Sequence, residues 1–291
     1  LRETGNLLFH IALVGVLIAV GVGGALTYTG QRAMVQGTSF VNALTDYSSF
    51  NPGRFVDADQ LSPYSITLNK FDVTYQPSGT AAAGQAGDFV AHVTTQLPGQ
   101  DPQDGEVRVN HPLDIAGDRV YLMGNGYAPI VTVRDADGDV VFRDAVPFLP
   151  QNNNMTSLGV VKIADGMPQQ LGLVGFFYPT AQPLDTGAYT SVYPDLVYPV
   201  LSLDVYEGDL GIDDGTPRSV YTLDPTGMTK LTGIDTDKSS IQLLPGQTTD
   251  LPNGLGTITF ENAADPSQNE VTDGTLDSGS PGADYSQAVP R

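Results

Sequence analysis

The chain offers three imidazoles, His10, His92 and His111, and no thiol. Without cysteine there can be no disulfide framework, thiolate nucleophile or Cys-type zinc site. No two histidines have the spacing that places metal ligands on one helix face. No Gly-x-Ser-x-Gly elbow marks a hydrolase nucleophile. Carboxylates cluster in "DADGD" (135–139) and "GDLGIDDG" (208–215). Neither has the spacing or distal Glu of a calcium loop, which supplies six to eight oxygens. Both read as solvated turns, so no catalytic residue and no metal site is assigned. "GNGYAP" (124–129) lacks the third glycine of a dinucleotide fingerprint. His92, in "DFVAHVTT", points away from the face shared by Phe89, Ala91 and Val93 if the segment is a strand, and is expected to be exposed. His111, before Pro112, is expected to be a hydrogen-bonded structural residue.

His10 stands apart because of its surroundings. Leu7 to Tyr28 reads LLFHIALVGVLIAVGVGGALTY, 22 residues without a formal charge. At 1.5 Å per residue such a helix spans the ~30 Å hydrocarbon core of a bilayer, and it exceeds the ~7–15-residue apolar region of a signal peptide. An ionisable side chain inside a membrane segment is a functional hypothesis by default. His10 lies about one turn inside the helix end, so a ligand or relay role and a packing role both stay open. Gly15, Ala19 and Gly23 recur every four residues, and small residues at that spacing let a second helix approach. His10 is five residues from Gly15, about 500° of helical rotation, and so roughly 140° away from that face.

The elements that must position these residues follow from composition. The chain carries 33 acidic and 13 basic residues, a net charge of −20. That excludes a phosphate-binding surface, hence nucleic acid, as the expected partner, and favours a basic one. The 33 glycines and 21 prolines suit a turn-rich β-protein. Strand-like runs occur at 64–68, 71–75, 88–93, 106–109, 130–133, 140–142, 200–206, 219–223 and 257–260. Asp137-Gly138 and Asn253-Gly254 read as hairpin turns with positive φ, and Gly124 and Gly126 as a tight turn. A short amphipathic piece, Phe40–Leu44, reads as a helix beside the bilayer. The expected fold is mostly β: one transmembrane helix with its flanks (1–30), a large sandwich-like β-domain (31–260), and an acidic tail or truncated loop (261–291) too polar to offset its ordering entropy. The first residue is Leu1 rather than Met, which reads as a fragment or processed product. Arg2 and Arg32 tie the positive-inside rule.

Taken together, "LRETGNLLFHIAL" with its glycine-rich helix, "VNHPLDIAGDRVYLMGNGYAPIVTVRDADGDVVF", "VPFLP", "TSLGVVKIADG", "QQLGLVGFFYPT", "GDLGIDDGTPRSVYTLD" and "LPNGLGTITF" resemble the ResB family of cytochrome c biogenesis, over roughly residues 1–260. The resemblance implies a cell-membrane protein with several helices and one large extracytoplasmic β-rich domain. It implies action with a ResC-type multi-helix membrane protein, delivery of haem across the membrane, and its ligation to apocytochrome c. The family's haem-handling membrane histidine maps onto His10, and the Leu1 end of the helix would face the cytoplasm. The family's earlier helices and its last helix lie outside this sequence, so the chain alone would not transport haem. A membrane-anchored extracytoplasmic scaffold without haem chemistry is the alternative. A hydrolase built on the carboxylates is a third reading.

Overall fold

The computed structural model describes residues 2–57, 61–212 and 221–263. Helix α1 (Arg2–Leu26) is followed by strands. The stretch Glu3–Leu26 is long and apolar enough to cross a membrane, and none of it is buried against the rest of the chain. The helix stops two residues before the expected end. Thr27 leaves it, and Tyr28 opens β1 (Tyr28–Gln31).

The first β-module contains β2 (Ser39–Val41), β3 (Ser49–Pro52), β4 (Ser65–Tyr75), β5 (Ala86–Gln96), β6 (Gln103–Arg108), β7 (Leu113–Ile115) and β8 (Asp118–Val120). Its main sheet has the antiparallel order β2-β4-β5-β6, flanked by the pairs β1-β3 and β7-β8. Phe40, Tyr64, Ile66, Leu68, Phe71, Ala91, Val93, Val107 and Ile115 form its core. The segment expected to be a helix at 40–44 is instead the end of β2 and the start of a 3-10 turn, Leu44–Asp46. Five residues close too few hydrogen bonds to hold a helix on their own, and pairing Phe40 with Ile66 buries its ring. The runs 64–68 and 71–75 are one strand. A bulge between Leu68 and Lys70 leaves Asn69 without an opposite residue. The extra residue resets the alternation, so Ile66 and Leu68 before it and Phe71 after it face the same core.

The second module is a sandwich. One sheet orders β10 (Val140–Ala145), β9 (Pro129–Arg134), β20 (Thr257–Ala263) and β19 (Gln247–Asp250). The other orders β11 (Leu149–Pro150), β12 (Ser157–Ile163), β13 (Leu171–Tyr178), β16 (Val200–Glu207) and β17 (Thr229–Lys230), with β18 (Ile241–Leu243) also on β16. A hairpin, β14 (Ala181–Pro183) and β15 (Tyr189–Ser191), follows β13. Val131, Val133, Ile258 and Phe260 from the first sheet meet Val161, Leu171, Leu173, Phe177, Leu201 and Leu203 from the second in a single core. The modules touch where the Asn125 amide donates to the Tyr75 hydroxyl (2.8 Å) and Tyr193 donates to the Gln76 carbonyl (2.9 Å).

Several sequence expectations change here. In the 135–139 loop only Gly138 has positive φ (92°), because Asp135 holds the turn by accepting from the Asp137 and Asp139 N–H groups. Asn253 (φ 60°) and Gly254 (φ 73°) both have positive φ, but within a six-residue connection that opens after Asp250↔Thr257. Gly124 and Gly126 make no positive-φ turn. Gly126 serves close approach instead, since a Cβ there would meet the Phe148 carbonyl oxygen at 3.2 Å. Tyr221–Leu223 is not a strand, and Ser219 and Val220 lie outside the described residues.

The β-structure also runs past the expected boundary at residue 260. Strand β20 continues to Ala263, and Glu261 on it takes a fork from Arg143 (2.9 and 2.8 Å) and a bond from the Thr132 hydroxyl between them. This links β10, β9 and β20. The Arg143 hydrogen bonds hold the Glu261 carboxyl below the usual carboxylate range, against an opposing push from burial. A depressed folded-state pKa contributes stability that is present above the unfolded carboxylate value and lost as pH falls through the folded one. The pair is 53% and 30% exposed, so its worth is at most about 1 kcal/mol. Glu261→Gln should therefore lower the unfolding midpoint slightly at pH 7 and by less near pH 3. Denaturant titrations at the two pH values check this, and an equal loss at both would remove the ion pair from the account.

Candidate functional site

Two clusters lie at opposite ends of α1. At the first, His10 sits in the exposed apolar run, with its Nδ1 2.8 Å from the Asn6 carbonyl oxygen and its ring edge-on to Phe9. A carbonyl only accepts, so Nδ1 carries the proton. A neutral imidazole so bonded has its free lone pair on Nε2. The ring is therefore held by its own helix in one tautomer, with the other nitrogen turned outward. Nothing lies within 4 Å of a Cβ built at Gly15 or Gly23, so the face that includes Ala19 is open to another helix.

The second cluster is the joint between helix and β-domain, about 25 Å further along the helix axis. A helix end leaves its last carbonyls without intrahelical donors. Here the Gly53 N–H donates to the Thr27 carbonyl (2.8 Å) and the Phe55 N–H to the Ala25 carbonyl (2.9 Å). The Thr27 hydroxyl takes the Gly23 carbonyl (3.0 Å). Only glycine fits at 53. A Cβ there would lie 2.5–2.7 Å from the carbonyl oxygens of Gly24, Thr27 and Ala25. Gly30 has a similar role, since a Cβ would enter the Tyr47 ring.

Beyond those caps the rings of Tyr28, Phe40, Tyr47, Phe50 and Tyr64 pack on one another, and the Tyr28 and Tyr47 hydroxyls meet Asn42. Asn42 is 5% exposed. Its amide donates to the Ser62 carbonyl (2.9 Å), the Asp118 carboxylate (3.1 Å) and the Tyr28 hydroxyl (3.2 Å), and its carbonyl accepts from Tyr47 (2.5 Å). Tyr28 donates to Asp118 at 2.5 Å, and Tyr64 lies within reach of that carboxylate's charge. Burial, and then the Asp118 charge, push the Tyr28 and Tyr64 hydroxyls far above their ordinary values, so both remain donors. The cluster ties the first residue of β1 to the β7-β8 hairpin, 90 positions away.

The remaining sequence candidates lie elsewhere. His92 is half-buried between Asp72 (2.9 Å) and Glu106 (3.4 Å), within a surface network that includes Lys70 and Arg108. Its expected simple exposure is corrected to pairing with two carboxylates. His111 is exposed, and its hydrogen bonds run through its backbone to Arg108. The expected hydrogen bonding is therefore made by the backbone, in a tight two-bond bridge, and not by the imidazole. The three histidines are not brought together. The joint was missed in the sequence because Asp118 and Gly53 carry no local motif. The one available clue was the run of aromatics that follows the helix, Tyr28, Phe40, Tyr47, Phe50 and Phe55.

A β-protein tied at its first strand to an unburied apolar helix is a membrane-anchored domain. The chain belongs to the ResB-like family, whose model matches residues 1–275. It is 30% identical over 119 residues to the cytochrome c biogenesis protein CcsB of Synechococcus sp. (strain WH7803), a stretch that is 41% of this chain and 24% of that protein. The chain thus spans about a quarter of the length of that curated relative. No solved structure matches it.

Asp118→Ala should leave the half-buried Tyr28 hydroxyl without its acceptor and weaken the hold on the buried Asn42, at a cost of about 1–3 kcal/mol. Asp118→Asn, which keeps one acceptor oxygen, should lose less. Chemical denaturation of the full chain in detergent, followed by tyrosine near-UV dichroism, reads both. Equal stability of Asp118→Ala and wild type would mean the joint contributes nothing.

Proposed function

We propose that the chain serves cytochrome c biogenesis as part of a membrane assembly that hands haem to apocytochrome c. In this reading haem is cargo rather than a resident group. The β-domain lies on the extracytoplasmic side, and a ResC-type multi-helix protein packs on the Gly15–Ala19–Gly23 face. Membership of the ResB-like family and the name of the Synechococcus relative support the pathway. The net charge of −20 supports attraction of a basic apoprotein.

The observation that carries the reading is the outward Nε2 of His10, fixed by the Nδ1 bond to Asn6. Histidine is a common axial ligand of haem iron, and a ligating imidazole usually donates its other N–H to a partner that sets the tautomer. Asn6 supplies that partner from within the same helix. His10 would present a lone pair about 5 Å inside the end of the apolar run that begins at Leu7. Its direction, roughly 140° from Gly15, lets a packed partner helix and a bound macrocycle occupy different sides of α1. The 291 residues include no cysteine, so they supply no thiol for reducing the apocytochrome.

His10→Ala in the full assembly should lower haem occupancy at least as much as loss of a supporting partner does at metal sites, roughly 10–100-fold, and cytochrome c maturation should fall with it. His10→Gly should recover haem binding on addition of imidazole. Wild-type haem content and maturation in His10→Ala, at normal protein level, would leave His10 a packing residue. If the wild-type assembly carries haem yet restores no maturation, the pathway assignment fails instead.

A further inference from the structure

The Gly53–Phe55 turn is held against the last turn of α1 by two backbone bonds, Gly53 N–H to Thr27 and Phe55 N–H to Ala25. Residues Leu7–Leu26 make an apolar run about 30 Å long, the thickness of the hydrocarbon core. Ala25 and Leu26 therefore lie at its boundary, and the bond to Ala25 sets the Phe55 backbone at the same depth. Phe55 is 71% exposed and Leu26 61% exposed. A large aromatic left bare there faces the one environment that stabilises it, the layer where rings and headgroups mix. The neighbouring Arg54 is exposed too, and cations at this level are attracted to anionic headgroups.

We infer that this turn is a second membrane contact, with Phe55 seated at the acyl–headgroup boundary beside α1. The inference rests on α1 crossing the bilayer, but not on the direction of crossing or on His10. Two contacts fix what one cannot. A helix alone lets the domain swivel about its axis, whereas Phe55 in the lipid selects one face of the first β-module to meet the membrane. The same turn supplies the helix caps, so the orientation is set by the residues that end the helix. The occupant is lipid rather than a protein partner, because the position is continuous with the lipid-facing surface of α1.

The chain contains no tryptophan, so Phe55→Trp is a single fluorescent reporter in the full chain reconstituted in phospholipid bilayers. Leu17→Trp, near the middle of α1, is the deep reference, and N-acetyltryptophanamide in buffer is the solvent reference. Phe55→Trp should emit to the blue of the solvent reference. Lipids brominated near the headgroup end of the acyl chain should quench it more than lipids brominated near the chain terminus, with the opposite order for Leu17→Trp. Emission at the solvent position, or blue emission that brominated lipid does not quench, overturns the inference while a quenched Leu17→Trp leaves the span standing. An unquenched Leu17→Trp removes both. Since the chain also lacks cysteine, a nitroxide on Phe55→Cys gives an independent reading. It should be more accessible to oxygen than to a water-soluble nickel chelate, and the reverse order again overturns the inference.

Discussion

A membrane helix must end without stranding its carbonyls at the edge of the lipid, where water satisfies them poorly. This constraint organises the first third of the chain. The donors come from the Gly53 and Phe55 backbone, so the chain has to return to the helix end soon after leaving it. That return is the β1-β3 pair, with Tyr28 opposite Pro52. The pair in turn sets the Tyr28 ring against Phe50 and its hydroxyl at Asn42, and Asn42 reaches Asp118. A Cβ in place of a Gly53 hydrogen would push the turn off three carbonyls at once. The buried polar cluster is fully paired, which is what makes it a rigid link rather than a cost.

The sequence carried much of this, but unevenly. The apolar helix was legible because twenty uncharged residues have few other uses, and its C-terminal end was off by two residues because Thr27 and Tyr28 are apolar enough to continue it. Strands with one wetter face, such as β5 and β16, were legible by alternation. The central strands β12 and β13 were not picked out. Both are buried on both faces along most of their length, which removes alternation, and their glycines look like turn residues. Gly175 is there because a Cβ would collide with the Ser202 carbonyl of the paired strand, and Gly159 because Phe148 fills its side-chain space. Composition placed Glu261 in a tail, whereas its position opposite Arg143 depends on strand order, which no local pattern encodes. His10 was visible as an anomaly of type and place. Its bond to Asn6 was also local, an i−4 contact, yet it became meaningful only with the ring orientation in view.

The two ends of α1 then divide the labour. The joint end is rigid, aromatic and hydrogen-bonded, suited to holding a β-domain in a set attitude. The His10 end is open, with an exposed imidazole and small residues that leave room for neighbours. About 25 Å of helix separates them, and among the described residues none of the β-domain reaches the His10 ring. In the proposed pathway, anything bound at His10 is completed by another membrane protein, and the acidic β-domain acts on a different component. The surface network around His92 fits the same division: each of its carboxylates is engaged by a cation or by His92, which stabilises a sheet face rather than leaving a reactive group.

The claim with most at stake is that Nε2 of His10 bonds to haem iron. A chain carrying His92→Gln and His111→Gln has His10 as its sole histidine and can be labelled with nitrogen-15 histidine before assembly with an unlabelled membrane partner. Pulsed electron paramagnetic resonance of the ferric, haem-loaded assembly then reports whether a labelled nitrogen is coordinated. Strong nitrogen-15 hyperfine coupling is the predicted result. A haem-loaded assembly whose iron couples only to nitrogen-14 would contradict the account and place the ligand on the partner.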